Sequence, residues 1–140
     1  MQTISEFMST DHQRCDALFA EAEAAAPAAA APAFAAFAEA MQHHLAMEEQ
    51  VLFPAFEQAT GNSMGPTRIM RMEHDQMREL FDQMNAALAA HDGNTFAGLA
   101  ETLLILMQQH NVKEEQILYP MSDRALGDGA QLIARMQAIA

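Results

Sequence analysis

Tryptophan is absent from this 140-residue chain, tyrosine and cysteine occur once each, and basic residues are scarce. Each shortage excludes something. A single cysteine, Cys15, rules out an internal disulfide. Seven Lys and Arg against 19 Asp and Glu leave a formal net charge of −12. A surface of that sign repels phosphate backbones and anionic headgroups, which argues against nucleic-acid and membrane partners. No long apolar run is present either. The most alanine-rich stretch is broken by Pro27 and Pro32 and is too weakly hydrophobic for a bilayer span. The opening MQTISEFMSTDHQ has neither the basic start nor the apolar core of a signal peptide. The expectation is a soluble, cytoplasmic protein.

β-branched residues are also few, while Ala, Met, Leu, Glu and Gln abound, a balance that favours helices. With 51% apolar residues, the chain has enough to bury a core, so one folded domain over 1–140 is expected. Helical periodicity marks the segments. Thr3-Ile-Ser-Glu6 is a capping-box pattern, followed by Ile4, Phe7, Met8, His12, Cys15, Leu18, Phe19 and Ala22 on one stripe. A second helix is expected from about Pro32 to Glu57, with Phe37, Met41, His44, Glu48, Val51 and Ala55 on one face. After the break GNSMGP, a third helix carries Met70, His74, Met77, Phe81, Met84 and Leu88. After the turn at HDGN, a fourth carries Phe96, Leu99, Leu103, Leu106, His110, Glu114 and Ile117. Gly127 and Gly129 end it, and a short fifth helix is expected over about 130–139, beyond a bundle over about 3–124.

The two halves echo one another. His12 precedes Leu18-Phe19 as His74 precedes Leu80-Phe81. HHLAMEEQVLFP in the second helix matches QHNVKEEQILYP in the fourth. Two similar helical hairpins predict an all-α, up-down four-helix bundle with a short C-terminal fifth helix.

Six polar residues lie on stripes otherwise built of Phe, Leu and Met: His12, His44, Glu48, His74, His110 and Glu114. One such histidine is ordinarily a hydrogen-bonded core residue. Four of them, one per helix, with two carboxylates one turn along, need positive charge. Arg78 is the one basic residue at a suitable spacing, so a bound cation is the simpler partner. The i, i+4 spacing puts imidazole and carboxylate on one face. Four nitrogens and two carboxylates are too many for one tetrahedral zinc and suit two metals bridged by both glutamates. Iron fits this donor set best, with manganese and zinc as alternatives. The ferritin-like plan requires Glu-x-x-His pairs, and the chain contains none.

The order His12, His44-x-x-x-Glu48, His74, His110-x-x-x-Glu114 resembles the hemerythrin-like family, also called the HHE cation-binding domain family, from Thr3 to about Arg124. The resemblance implies a left-handed bundle around two non-haem irons, oxo- or hydroxo-bridged. It implies binding of or reaction with dioxygen, peroxide or nitric oxide, as carrier, sensor or detoxifier. The alternative it implies is an iron donor or repair factor serving iron–sulfur client proteins. Activity on peroxide or nitric oxide would make the protein an enzyme. Two departures from the oxygen carriers stand out. Arg78 replaces a fifth histidine, and Glu114 lies four residues after His110 where the carriers have an aspartate at five. Pairing His12 with His44 and His74 with His110 then gives two nearly equivalent irons, each with an open position. That favours chemistry over reversible carriage.

The neighbours carry milder expectations. His43 lies about 100° round the helix from His44, and its counterpart is Gln109, so a rim position is expected. His91 belongs to a turn. Glu49 and Glu115 fall off the buried face and read as surface residues, with Glu115 the second choice of bridge. Asp16 and Arg78 stand four residues after His12 and His74, as groups supporting the ligands or as an ion pair. Cys15 reads as a core filler. Tyr119, about half a helical turn round from His110 and matching Phe53, is not expected as a ligand. The methionines read as packing. Pro54 and Pro120 should kink their helices just beyond each His/Glu pair.

Overall fold

A computed structural model describes residues 2–139. Among these residues there is no strand. Helix α1 (Ile4–Ala24) is followed by α2 (Pro27–Met47), a wide π turn (Glu48–Leu52) and α3 (Phe53–Thr60). The second half repeats that order: α4 (Pro66–Ala89), α5 (Gly93–Lys113), a second wide turn (Glu114–Leu118) and α6 (Tyr119–Leu126). Helix α7 (Ala130–Gln137) follows. No helix is long and apolar enough to cross a membrane.

The helix starts follow local chemistry. Thr3 and Glu6 form the expected capping box at the head of α1. Asp123 of α6 adds a second cap, accepting from the Ile4 backbone N–H at 3.0 Å and the Ser5 hydroxyl at 2.6 Å. Asp92 caps α5 by accepting from the Thr95 N–H at 3.1 Å. Gly61 ends α3 in the left-handed region, φ 67°, which glycine adopts without a Cβ clash.

Helix α2 corrects the sequence reading. It begins at Pro27, not Pro32. Pro27 occupies the first turn, where a missing N–H costs nothing. Pro32 lies inside the helix on its exposed side.

The two hairpins pack α1 on α2 and α4 on α5. Their buried stripes build two apolar layers. One holds Cys15, Phe19, Phe34, Phe37, Met41, Met77, Phe81, Leu103 and Met107. The other holds Ile4, Met8, Met47, Leu52, Phe53, Met70, Leu118, Tyr119 and Met136. Along each long helix a histidine falls between residues of the two layers, as His12 falls between Met8 and Cys15. Helix α7 contributes Ile133 and Met136 to the second layer and closes that end beside the first wide turn.

The wide turns correct the expected faces. Each widens the helix ahead of Pro54 or Pro120, and the backbone N–H groups of Phe53 and Tyr119 donate to the Glu48 and Glu114 carbonyls, five residues back. The extra residue shifts the register beyond each glutamate. Ile117 is therefore 53% exposed, not buried, and Leu118 and Tyr119 turn inward. Ala55 is half-buried, and Phe53 and Phe56 take the core positions.

Candidate metal centre

Each imidazole arrives from a different helix: His12 from α1, His44 from α2, His74 from α4 and His110 from α5. Glu48 and Glu114 open the two wide turns. All six side chains are buried, none more than 1% exposed. The structure brings them together as two overlapping groups, Glu48–His74–His110–Glu114 and His12–His44–Glu114, each with donor atoms within 4.8 Å of one another. Each carboxylate reaches across the halves. Glu114 Oε1 lies 3.0 Å from His12 Nε2 and 3.2 Å from His110 Nε2. Glu48 Oε1 lies 3.0 Å from His74 Nε2 and 3.7 Å from His44 Nε2.

The remaining ring nitrogen of every imidazole meets a second carboxylate. His44 Nδ1 lies 2.7 Å from Asp11, and His110 Nδ1 lies 2.9 Å from Glu73, both within one hairpin. His12 Nδ1 lies 2.6 Å from Glu115, and His74 Nδ1 lies 2.6 Å from Glu49, both across hairpins. An Nδ1–H donating outward leaves the Nε2 lone pair facing the centre, which is how an imidazole is oriented for a cation. Three outer carboxylates carry a cation of their own. Arg14 pairs with Asp11, Lys113 with Glu73, and the Arg78 guanidinium forks onto Glu49 at 2.8 and 2.9 Å. No Lys or Arg pairs with Glu115 among the described residues.

The electrostatics follow from crowding charges in an apolar core. Burial alone would lower the His12 and His110 pKa values, but Glu114 beside both raises them to about 9 and about 10. Burial and the neighbouring Glu114 push the Glu48 carboxyl upward. Burial also works against ionised Glu49, yet His74 and Arg78 outweigh it and hold that carboxyl at about 2. Burial, reinforced by Asp11, pushes the Cys15 thiol up to about 12, so it stays protonated as a core filler.

Two buried atoms lack hydrogen-bond partners here, His110 Nε2 and Glu114 Oε2. Both are shielded from solvent. Arg78 and Lys113 are engaged by the outer carboxylates. The centre therefore sets two buried carboxylates beside four imidazole Nε2 atoms, which become inward lone pairs once the rings lose their protons, a donor set that fits cations such as iron.

The sequence reading missed five residues here. Glu49 is half-buried and Glu115 is exposed as expected, yet both are partners of imidazoles, His74 and His12. Asp11 and Glu73 were passed over, although each immediately precedes a lone histidine and the internal repeat marks them. Tyr119 is not expected as a ligand, yet it is fully buried, and its hydroxyl lies 2.7 Å from Glu48 Oε2 and 2.9 Å from Glu114 Oε1, with one hydrogen to donate between them. The register shift of the second wide turn turned it inward. Arg78 pairs with Glu49 and Gln42, not with Asp16. Half-buried His43 meets the Ile139 carbonyl at 2.9 Å, outside the cluster, and His91 is exposed.

An all-helical chain with a buried cluster of imidazoles and carboxylates defines a metal-binding class of helical protein. The chain belongs to the hemerythrin HHE cation-binding domain family, whose sequence profile matches residues 3–122. A 45-residue stretch is 42% identical to the iron-sulfur cluster repair protein YtfE of Escherichia coli and to that of Shigella boydii. That stretch covers 31% of this chain and only 20% of those relatives' length. No solved structure matches the chain.

Proposed function

We propose that this chain is a single di-iron domain, an up-down four-helix bundle that binds or reacts with dioxygen, peroxide or nitric oxide. His12 and His44 would hold one iron, His74 and His110 the other, with Glu48 and Glu114 bridging. The observation that carries this reading is the reach of each glutamate to one imidazole from each half. Bound iron would supply a redox couple and open coordination for a small molecule. The chain's own residues do the rest. Asp11, Glu49, Glu73 and Glu115 fix the imidazole orientation through Nδ1. The Phe and Met layers on either side exclude water.

Anaerobic loading with ferrous salt should give about two irons per chain. The Glu48→Ala, Glu114→Ala double variant should lose more than half of that iron. Retention of more than half would overturn the bridging assignment. An optical spectrum before and after oxygen then separates a reversible band, meaning carriage, from irreversible oxidation.

A second reading has its own support in the similarity to the iron-sulfur cluster repair protein. On this reading the centre donates iron to damaged iron–sulfur clients. Reactivation of such an enzyme by the loaded protein, but not by free ferrous salt, would favour it.

A further inference from the structure

We infer that Tyr119 is itself a metal ligand, binding the His12/His44 iron through its phenol oxygen and making the two metal positions chemically different. The inference rests on the metal-centre reading above and goes beyond it. The Tyr119 oxygen is surrounded by the donor atoms of that half. It lies 3.1 Å from His12 Nε2, 3.4 Å from His44 Nε2, 2.7 Å from Glu48 Oε2 and 2.9 Å from Glu114 Oε1. A phenol has one hydrogen to donate. When the two imidazoles are neutral, as metal binding requires, their Nδ1–H groups point at Glu115 and Asp11, and both Nε2 atoms are acceptors. Four acceptors then face one hydrogen. A shared cation resolves that conflict, and a hydrogen bond does not.

The spacings agree. Metal bonds of about 2.1 Å to nitrogen or oxygen put neighbouring ligand atoms of an octahedron about 3.0 Å apart. The Tyr119 oxygen, His12 Nε2 and Glu114 Oε1 form a triangle with edges of 3.1, 3.0 and 2.9 Å.

Among the described residues the other half offers no equivalent donor. Phe53 holds the matching place in the repeat, and its ring stacks on His74 with centroids 5.4 Å apart. His110 Nε2 remains without a hydrogen-bond partner. The near-equivalence of the two irons expected from the sequence is therefore replaced by asymmetry. The His12/His44 position is more saturated, and the His74/His110 position keeps its opening for a small molecule. On coordination the phenol O–H bond breaks, a metal–oxygen bond forms, and the proton leaves to solvent. No electron is transferred.

Ferric phenolate absorbs in the visible by charge transfer from the phenolate, and excitation there enhances phenolate ring vibrations. The test loads the full chain with ferrous salt anaerobically, oxidises it with ferricyanide, and records iron content, the visible spectrum and resonance Raman scattering. Tyr119 is the chain's single tyrosine, so growth on ring-deuterated tyrosine labels this ring alone without any mutation. The expected result is phenolate modes that shift with the deuterated ring and a charge-transfer band that Tyr119→Phe abolishes while iron stays bound. Iron-loaded wild type with no deuterium-sensitive mode overturns the inference and leaves the metal centre standing. Wild type that takes up no iron overturns both. Should Tyr119→Phe fail to fold, the labelled wild type still decides.

Discussion

A neutral imidazole can aim either ring nitrogen at a cation, and turning it the wrong way costs the bond. At His110 that choice is made by Glu73, which is held below the usual carboxylate range chiefly by its hydrogen bond to His110 and further by Lys113. At His44 it is made by Asp11, where the imidazole outweighs the opposing effect of burial. Removing such an outer partner typically lowers metal affinity about 10–100-fold. Glu73→Ala should therefore weaken iron binding by about that factor in competition against a chelator. Glu73→Gln keeps an acceptor for His110 Nδ1 and should fall between the variant and wild type. Equal affinity in Glu73→Ala and wild type would show that the imidazole is oriented by packing alone. The same test on Asp11 should give the same order, because the two residues occupy matching places in the repeat.

At the scale of helices, most of what positions the centre was written in the periodicity. Apolar residues at steps of three and four set the buried faces of α1 and α4, and the capping box at Thr3 set a boundary. Prolines carried the harder information. Pro54 and Pro120 were read as kinks beyond each His/Glu pair, whereas the helices respond with a widened turn that begins at the glutamate itself. A pattern rule of fixed period cannot represent an inserted residue, so it turns Tyr119 away from the ligand face and buries Ile117, whereas Tyr119 is fully buried beside the ligands and Ile117 is exposed. The outer carboxylates escaped for a related reason. Glu49 and Glu115 sit at the edge of the buried face, 24% and 41% exposed, where burial alone does not distinguish a supporting group from a solvated one. Pro32 was read as a helix boundary, yet helical structure runs through it. A proline there still withholds the N–H that the Ala28 carbonyl would accept and crowds that carbonyl. Pro32→Ala should accordingly raise stability by about 1–3 kcal/mol, since the position is exposed and away from the centre. Thermal melting with the iron content measured in parallel checks this. A lower melting temperature would mean that Pro32 helps to seat Phe34 and Phe37 against the other helices.

For the whole molecule the dominant fact is a formal charge of −12 with two glutamates sealed in the core. Two kinds of cation can balance them, protons on the imidazoles or metal. These alternatives have opposite pH dependence. In protein stripped of metal, His12 and His110 are held protonated, with pKa values raised from 6.5 to about 9 and about 10. A raised pKa contributes stability that is fully present below the unfolded value near 6.5. That contribution is lost as pH rises through about 9 to about 10. Losing those protons also deepens the net negative charge, which adds to the loss. Metal needs the imidazoles unprotonated, so loaded protein gains affinity over the same interval. At free metal about 100 times Kd, binding contributes about 2.7 kcal/mol, or roughly 5–10 °C in melting temperature for a chain of this size. The difference in melting temperature between iron-loaded and chelator-treated protein should therefore widen from about pH 6 to about pH 9. Melting curves recorded in both states across that interval check the sign. A difference that narrows with rising pH would show that the imidazoles, not the metal, are what the buried carboxylates are built to hold.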